Sequence, residues 1–276
     1  MADFMASLRR GYCLVPQPFN TKVVTRVSLE PGDVTCIVFW TRDPRPLMAF
    51  VPELDALGYP FYVQMTLTGY PRFVEPRAPR IDEARDALCA LSDELGPERV
   101  IWRYDPIFLA KGPGLNLDAE WHCANFCGIA ESVGDRVRTV VISLLDEYRC
   151  TKSRMARAGL TDIVFGSERE HVPELPPGPF DPTQGGPFFP LLTRLAACAS
   201  SHGLSLKSCA EPWDLSAIGI SRGACVDAEL ISHIAGKDLR SEKDKGQRPY
   251  CGCAESVDVG TYGKCPAGCI YCYAKR

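Results

Sequence analysis

The sequence has no run of eighteen or more apolar residues, so no transmembrane helix is expected. Between Met1 and Arg10 there is no basic-then-apolar leader, so no secretory signal is read there. Positive charge is not in excess: 31 Lys and Arg stand against 34 Asp and Glu, net −3. No basic run interleaved with aromatics occurs either. A nucleic-acid partner is therefore not expected, nor is an anionic membrane surface. Neither a glycine-rich phosphate loop nor an internal repeat is found. What remains is the composition expected of a cytoplasmic globular protein. Apolar residues make up 46% of its 276 positions, enough for a substantial core.

Cysteine stands out against these absences. Fourteen are too many for an ordinary enzyme of a reducing compartment, where disulfides do not persist, so the count points to metal or redox work. Seven are scattered through the first 208 residues. The other seven are Cys209, Cys225, Cys251, Cys253, Cys265, Cys269 and Cys272.

Apolar, β-branched runs alternate with helical patterns along the chain. Strands are expected at 34–40, 61–67, 100–102, 137–144 and 204–209. Helices are expected at 46–57, 81–95, 118–133 and 190–202. Such alternation predicts a parallel sheet built from right-handed crossovers. The fold class expected is α/β: a parallel (β/α) barrel of the TIM type, partial or permuted, with a C-terminal cysteine-rich iron–sulfur segment. A doubly wound open sheet is the second choice. Residues 1–204 would form the barrel, and 205–276 its last strand and the cluster-binding segment. The proline- and glycine-rich stretch 173–190 reads as a long loop, and the charged run 236–250 as a solvated linker.

In both architectures chemistry gathers at the C-terminal ends of the strands. Thr41, Arg42, Thr66, Thr68, Ser143, Asp146 and Glu211 lie just past such ends, where loop residues and helix caps also lie. Arg103 and Asp105, in Trp-Arg-Tyr-Asp-Pro after a buried strand, are the catalytic candidates. Thr66, Thr68 and Tyr271 are the candidates for cofactor contact. Cys123 and Cys127, at i and i+4 beside His122, read as packing rather than as a metal pair.

The most specific motif is Cys265-Pro-Ala-Gly-Cys269-Ile-Tyr-Cys272. Three thiolates on one short loop can hold three irons of a [4Fe–4S] cube and leave the fourth open to a substrate ligand. The competing reading is structural zinc, which wants four closed ligands and would need Cys251 or Cys253 as the fourth. Cys209, Cys225, Cys251 and Cys253 could in turn complete a four-thiolate set for a second [4Fe–4S] cluster. The plainer alternative is that Cys209 and Cys225 are small buried hydrophobes.

The motif and several further pieces carry a resemblance. They are Arg10-Gly-Tyr-Cys-Leu-Val, Cys36-Ile-Val-Phe-Trp-Thr-Arg-Asp-Pro, Thr66-Leu-Thr-Gly-Tyr and Arg99-Val-Ile-Trp-Arg-Tyr-Asp-Pro, with Ser208-Cys-Ala-Glu, Asp214-Leu-Ser, Gln247-Arg-Pro-Tyr-Cys-Gly-Cys and Ser256-Val-Asp-Val-Gly-Thr-Tyr. Over nearly its whole length the chain resembles a set of bacterial proteins catalogued as a domain of unknown function, which carry a radical S-adenosylmethionine (SAM) cysteine motif at the C-terminus. Most radical SAM enzymes place that triplet near the N-terminus, after the first barrel strand, so the order here looks permuted. Members of the set usually begin with a further strand and a Ser-Arg-Arg-Thr-Asp-like motif. This sequence starts past that point, so the expectation is a barrel one strand short or a start that lies upstream.

The resemblance implies SAM, a SAM-binding [4Fe–4S] cluster and reductive cleavage to a 5′-deoxyadenosyl radical that abstracts hydrogen from a small molecule. An electron donor such as flavodoxin or ferredoxin is implied with it. A second cluster would suit electron transfer or sulfur insertion. Alternatives are nucleic-acid repair in the manner of spore photoproduct lyase, which the acidic balance disfavours, and a non-catalytic zinc or iron–sulfur protein.

Overall fold

The structure is a computed structural model that describes residues 1–16, 23–166, 186–239, 242–260, 263 and 265–274. Helix α1 (Ala2–Arg10) leads into an antiparallel pair, β1 (Tyr12–Pro16) and β2 (Val24–Ser28). Then come β3 (Ile37–Thr41), α2 (Arg45–Met48), α3 (Val51–Ala56), β4 (Phe61–Thr66) and α4 (Ile81–Leu95). The middle of the chain holds β5 (Val100–Ile107), β6 (Leu109–Gly112), β7 (Leu115–Leu117), α5 (Ala119–Val133), β8 (Thr139–Leu144), α6 (Arg149–Arg157) and β9 (Thr161–Val164). The last elements are α7 (Phe188–Ser201), β10 (Ser205–Cys209), β11 (Ser221–Gly223) and α8 (Ala228–Ala235). No helix among the described residues is long and apolar enough to cross a membrane.

Strands β3, β4, β5, β8, β10 and β11 form one six-stranded sheet, every pair parallel and in that spatial order. Spatial order equals chain order, so the sheet winds in one direction. A doubly wound sheet reverses its order at a switch point, and this one does not. The closed barrel is not found either: the edge strands β3 and β11 do not pair with each other. Closure around a filled core takes about eight strands, and six with a three-residue edge fall short.

One-way winding with right-handed crossovers puts the connecting helices on one face. The burial pattern agrees. Phe61, Val63 and Met65 of β4, Val100, Trp102 and Tyr104 of β5, and Val140 and Ile142 of β8 share a core with α2, α3, α4, α5 and α7. Helix α4 brings Ala84, Ala87, Leu88, Leu91 and Leu95, one stripe at helical spacing. Its start is fixed by Glu83, whose carboxylate accepts the Arg80 N–H at 3.1 Å. Helix α5 starts on Asp118, whose side chain accepts the Trp121 N–H at 2.9 Å. Cys123 is buried in this core; Cys127 is joined by a disulfide to Cys198 of α7, where the sequence reading expected no disulfide.

Residues of the alternate register point to the other face. Tyr62, Ile101 and Val141 are covered there by residues 224–239 and 251–254, including α8. Both faces are therefore buried, as the apolar strands required, but by different kinds of cover. A small antiparallel sheet, β7-β6-β9, extends β5 beyond the main sheet. Together with Met155 of α6 it forms an apolar seat for Ala267, Cys269, Ile270 and Tyr271. Most of the expected loop at 173–190 lies outside the described residues, as do Arg240 in the charged run and Thr261, Tyr262 and Lys264 before the triplet; the chain enters α7 at Phe188.

Candidate functional site

Two thiol groups stand near the C-terminal ends of the parallel strands, with a polar seam between them. The first is the triplet loop. It is held by backbone contacts to the segment after β4: Ile270 N–H donates to the Val74 carbonyl at 3.1 Å, and Arg77 N–H to that of Ala267 at 3.1 Å. Arg77 Nε donates to the Pro266 carbonyl at 2.6 Å. Gly268 sits at φ 68°, and a β-carbon there would lie 2.8 Å from Arg77 Nη2. The left-handed φ is what favours glycine, since the Arg77 guanidinium is the end of a flexible side chain and can move aside. Cys269 is buried, Cys272 half-buried and Cys265 exposed.

Tyr271 anchors this loop from inside. Arg42, just past β3, donates from Nη1 to Glu75 Oε2 at 2.8 Å and from Nη2 to the Tyr271 hydroxyl. The Tyr271 hydroxyl donates to Glu75 Oε1, which also accepts from Thr68 Oγ1 at 2.7 Å. Burial opposes the Arg42 charge, but Tyr271, Glu75, Cys269 and Asp105 around it outweigh burial and keep the guanidinium protonated. Burial pushes the Cys269 thiol up, and Arg42 partly offsets this. A cavity of about 310 Å³ opens beside the network, lined among others by Arg42, Thr66, Thr68, Tyr70, Arg72 and Glu75.

The second group is built on β10, β11 and the chain that returns over the sheet. Cys209 ends β10 and Cys225 follows β11; their sulfurs are 3.2 Å apart. Cys253 Sγ accepts the N–H groups of Cys225 at 3.2 Å and Val226 at 3.4 Å. The four thiols lie within electrostatic reach of one another in the order Cys209, Cys225, Cys253, Cys251. The neighbouring Cys253 lowers the Cys251 thiol to about 7, while Cys225 and burial push Cys209 well up. No three His, Cys, Asp or Glu side chains among the described residues are already arranged around one metal position. The sulfurs here make a chain of contacts, not a closed shell.

Arg103 and Asp105 form the seam. Arg103 is 6% exposed and grips Asp105 with two bonds, of 3.0 and 2.5 Å. Its Nη1 also donates to Cys225 Sγ at 2.9 Å and to Gln64 Oε1 at 3.1 Å. Ser143 Oγ donates to Asp105 Oδ2 at 3.3 Å. Arg103 thus faces the four-cysteine group, whereas Asp105 also lies within electrostatic reach of Arg42. Thr68 and Tyr271 share the Glu75 network, and Thr66 lines the cavity only. Glu211, at the end of β10, is raised to about 8 by burial despite accepting the Leu144 N–H at 2.8 Å.

Sequence reasoning missed Gln64, Tyr62 and Glu75. Gln64 Nε2 and the Tyr62 hydroxyl both donate to the Cys225 carbonyl, at 2.8 and 2.5 Å. A glutamine inside an otherwise apolar strand was the signal for the first. Nothing around Glu75, in a proline-flanked loop, marks it.

The fold and these groups define an α/β protein with an open, singly wound parallel sheet and a thiol-rich face at its strand ends. Residues 1–274 match the family described as "Domain of unknown function (DUF1848)", and the chain belongs to that family. No curated protein and no solved structure matches it.

Proposed function

We propose that the protein is a radical SAM enzyme acting on a small molecule, with its cluster on Cys265, Cys269 and Cys272. The observation that carries the reading is where the chain's last loop lands. Tyr271, between the second and third cysteines, is bonded to Arg42, directly after β3. Strand β3 is the first strand of the sheet, beside β4. The triplet is last in the chain, yet its loop packs against the segments that follow the first two parallel strands, and this proximity supports the reading. On this reading the open six-stranded sheet is a partial barrel.

The donor set suits the group. Three soft thiolates on one loop leave an iron open; Cys269 is buried, Cys272 half-buried and Cys265 exposed. Bound there, a [4Fe–4S] cluster would supply the electron that cleaves the SAM sulfonium to a 5′-deoxyadenosyl radical. The chain's own residues do the rest. Arg42, Glu75 and Thr68 fix the loop through Tyr271. The adjoining cavity offers guanidinium, carboxylate and hydroxyl groups of the kind an amino-acid moiety such as that of SAM requires. Asp105 and Ser143 present polar atoms at the strand ends beyond it. A low-potential donor of the flavodoxin or ferredoxin kind is needed to deliver the electron.

Anaerobic reconstitution with iron and sulfide tests this directly. A brown, dithionite-reducible protein that forms 5′-deoxyadenosine from SAM is expected. Replacing Cys265, Cys269 and Cys272 with alanine should abolish both. A reconstituted protein that never cleaves SAM refutes the proposal.

A further inference from the structure

The four-cysteine group lies outside the triplet loop and outside the cavity lined by Arg42 and Glu75. It brings together parts of the chain that are distant in sequence: the ends of the neighbouring parallel strands β10 and β11, where Cys209 pairs in register with Gly223, and the turn Cys251-Gly252-Cys253 that returns over them. We propose that Cys209, Cys225, Cys251 and Cys253 are a second metal site that takes one thiophilic divalent ion, zinc by class, on four thiolates. The proposal is independent of radical chemistry at the triplet.

Three observations support a metal here, and the first of them favours a single ion over an iron–sulfur cube. The first is spacing. A tetrahedron with metal–sulfur bonds of about 2.3 Å has sulfur–sulfur edges of about 3.8 Å. The Cys209 and Cys225 sulfurs are already 3.2 Å apart, so a small outward movement admits an ion between them. A cube would have to drive four irons and four sulfides into the same contact.

The second is the backbone. Residues 223–226 and 251–254 are already bonded to each other, with Ala254 N–H donating to the Val226 carbonyl at 2.9 Å. A β-carbon on Gly252 would lie 3.5 Å from the Gly223 carbonyl oxygen, so the turn passes close over the strand end. Gathering the sulfurs into a shell asks for side-chain rotation, not for refolding.

The third is the donors around the sulfurs. Two backbone N–H groups point at Cys253 Sγ, and the buried Arg103 guanidinium donates to Cys225 Sγ at 2.9 Å. Such outer contacts stabilise thiolate charge and orient the ligands. They also give the buried Arg103 a reason to be aimed at a sulfur as well as at Asp105 and Gln64. Loading exchanges the four thiol protons, released to solvent, for the ion. A closed four-thiolate set leaves no open position, so the site is structural: it clamps residues 224–239 and 251–254 onto the sheet.

The test uses the full chain with Cys265, Cys269 and Cys272 replaced by alanine, so the quartet is intact and the triplet cannot contribute. Titration with cobalt(II) is expected to give one ion per chain, with thiolate-to-cobalt charge transfer and the d–d bands of tetrahedral coordination. Zinc should displace it stoichiometrically. Adding Cys209→Ser and Cys253→Ser to that chain should abolish both signals. Absence of cobalt binding overturns the proposal. So does reconstitution of the triplet-free chain with iron and sulfide to four of each per protein, which would make the quartet a second cluster and restore a sulfur-donor role. Loss of SAM cleavage in the wild type bears only on the triplet.

Discussion

Replacing Glu75 with alanine should release the triplet loop while leaving the sheet intact. The Glu75 side chain is 5% exposed and that of Arg42 16%, so the pair is largely desolvated. Removing one partner of such a pair costs about 3–5 kcal/mol, because the other charge stays buried without compensation. Thr68 and Tyr271 lose an acceptor as well, at about 1 kcal/mol each, although terms within one network do not add. A local destabilisation of about 4 kcal/mol is roughly a thousandfold in the opening equilibrium. Hydrogen exchange followed by mass spectrometry reads it. Peptides covering 265–274 should exchange up to that much faster, while those covering β5 and β8 keep their protection. Glu75→Gln, which keeps an acceptor, should fall between. Arg42→Met combined with Glu75→Ala should recover much of the loss, because no charge is then stranded. Protection of the loop within twofold of wild type in Glu75→Ala would show that Glu75 does not anchor it.

Two further predictions follow from buried groups. His122 is held neutral by burial, its pKa lowered from 6.5 to about 4, with Nδ1 3.0 Å from the Tyr104 hydroxyl and Nε2 2.9 Å from the Phe108 carbonyl. Below pH 6.5 the unfolded chain binds the proton and the folded chain does not, so stability falls as pH drops from 6.5 towards 4, by at most about 3 kcal/mol. Urea midpoints of wild type and His122→Gln should converge over that window; parallel curves would sink the assignment. Gly268→Ala should loosen the triplet loop, since alanine at φ 68° is strained and its methyl meets Arg77. The expected cost is about 1–2 kcal/mol, with faster iron loss after reconstitution, and retention equal to wild type would refute it.

Much of the fold was legible because the sheet is made of apolar, β-branched strands that bury both faces. The sequence pattern placed five of its six strands and matched α4 from Ile81 to Leu95, whose stripe is regular. Strand β11, Ser221–Gly223, has no such pattern: it is three residues long and joins the sheet because its neighbour is there. The small sheet of β6, β7 and β9 was missed for a similar reason, being antiparallel ribbon with little alternation. Helix α8 did carry signals, an Asp227 cap bonded to Glu229 and Leu230 and a closing Gly236, but they are brief. At the site, cysteines were visible by spacing. Their partners were not: Arg42 and Glu75 are 33 residues apart, and Arg42 and Tyr271 are 229. Contacts made by tertiary closure leave no local period to read.

The matching of spatial and chain order gives the molecule a direction of assembly. Each strand of the sheet pairs with the one made before it, so the helix-covered face can consolidate as the chain lengthens. The opposite face, with Tyr62, Ile101 and Val141, waits for Val226, Ile231, Cys251, Cys253 and Ala254; the four-cysteine group is complete only after Cys253 and the triplet only after Cys272. A chain stopped short would therefore keep its sheet and show a greasy, unclaimed surface, the kind quality-control proteases and chaperones engage. Cover for this protein's strand ends comes from segments that follow those strands in the chain.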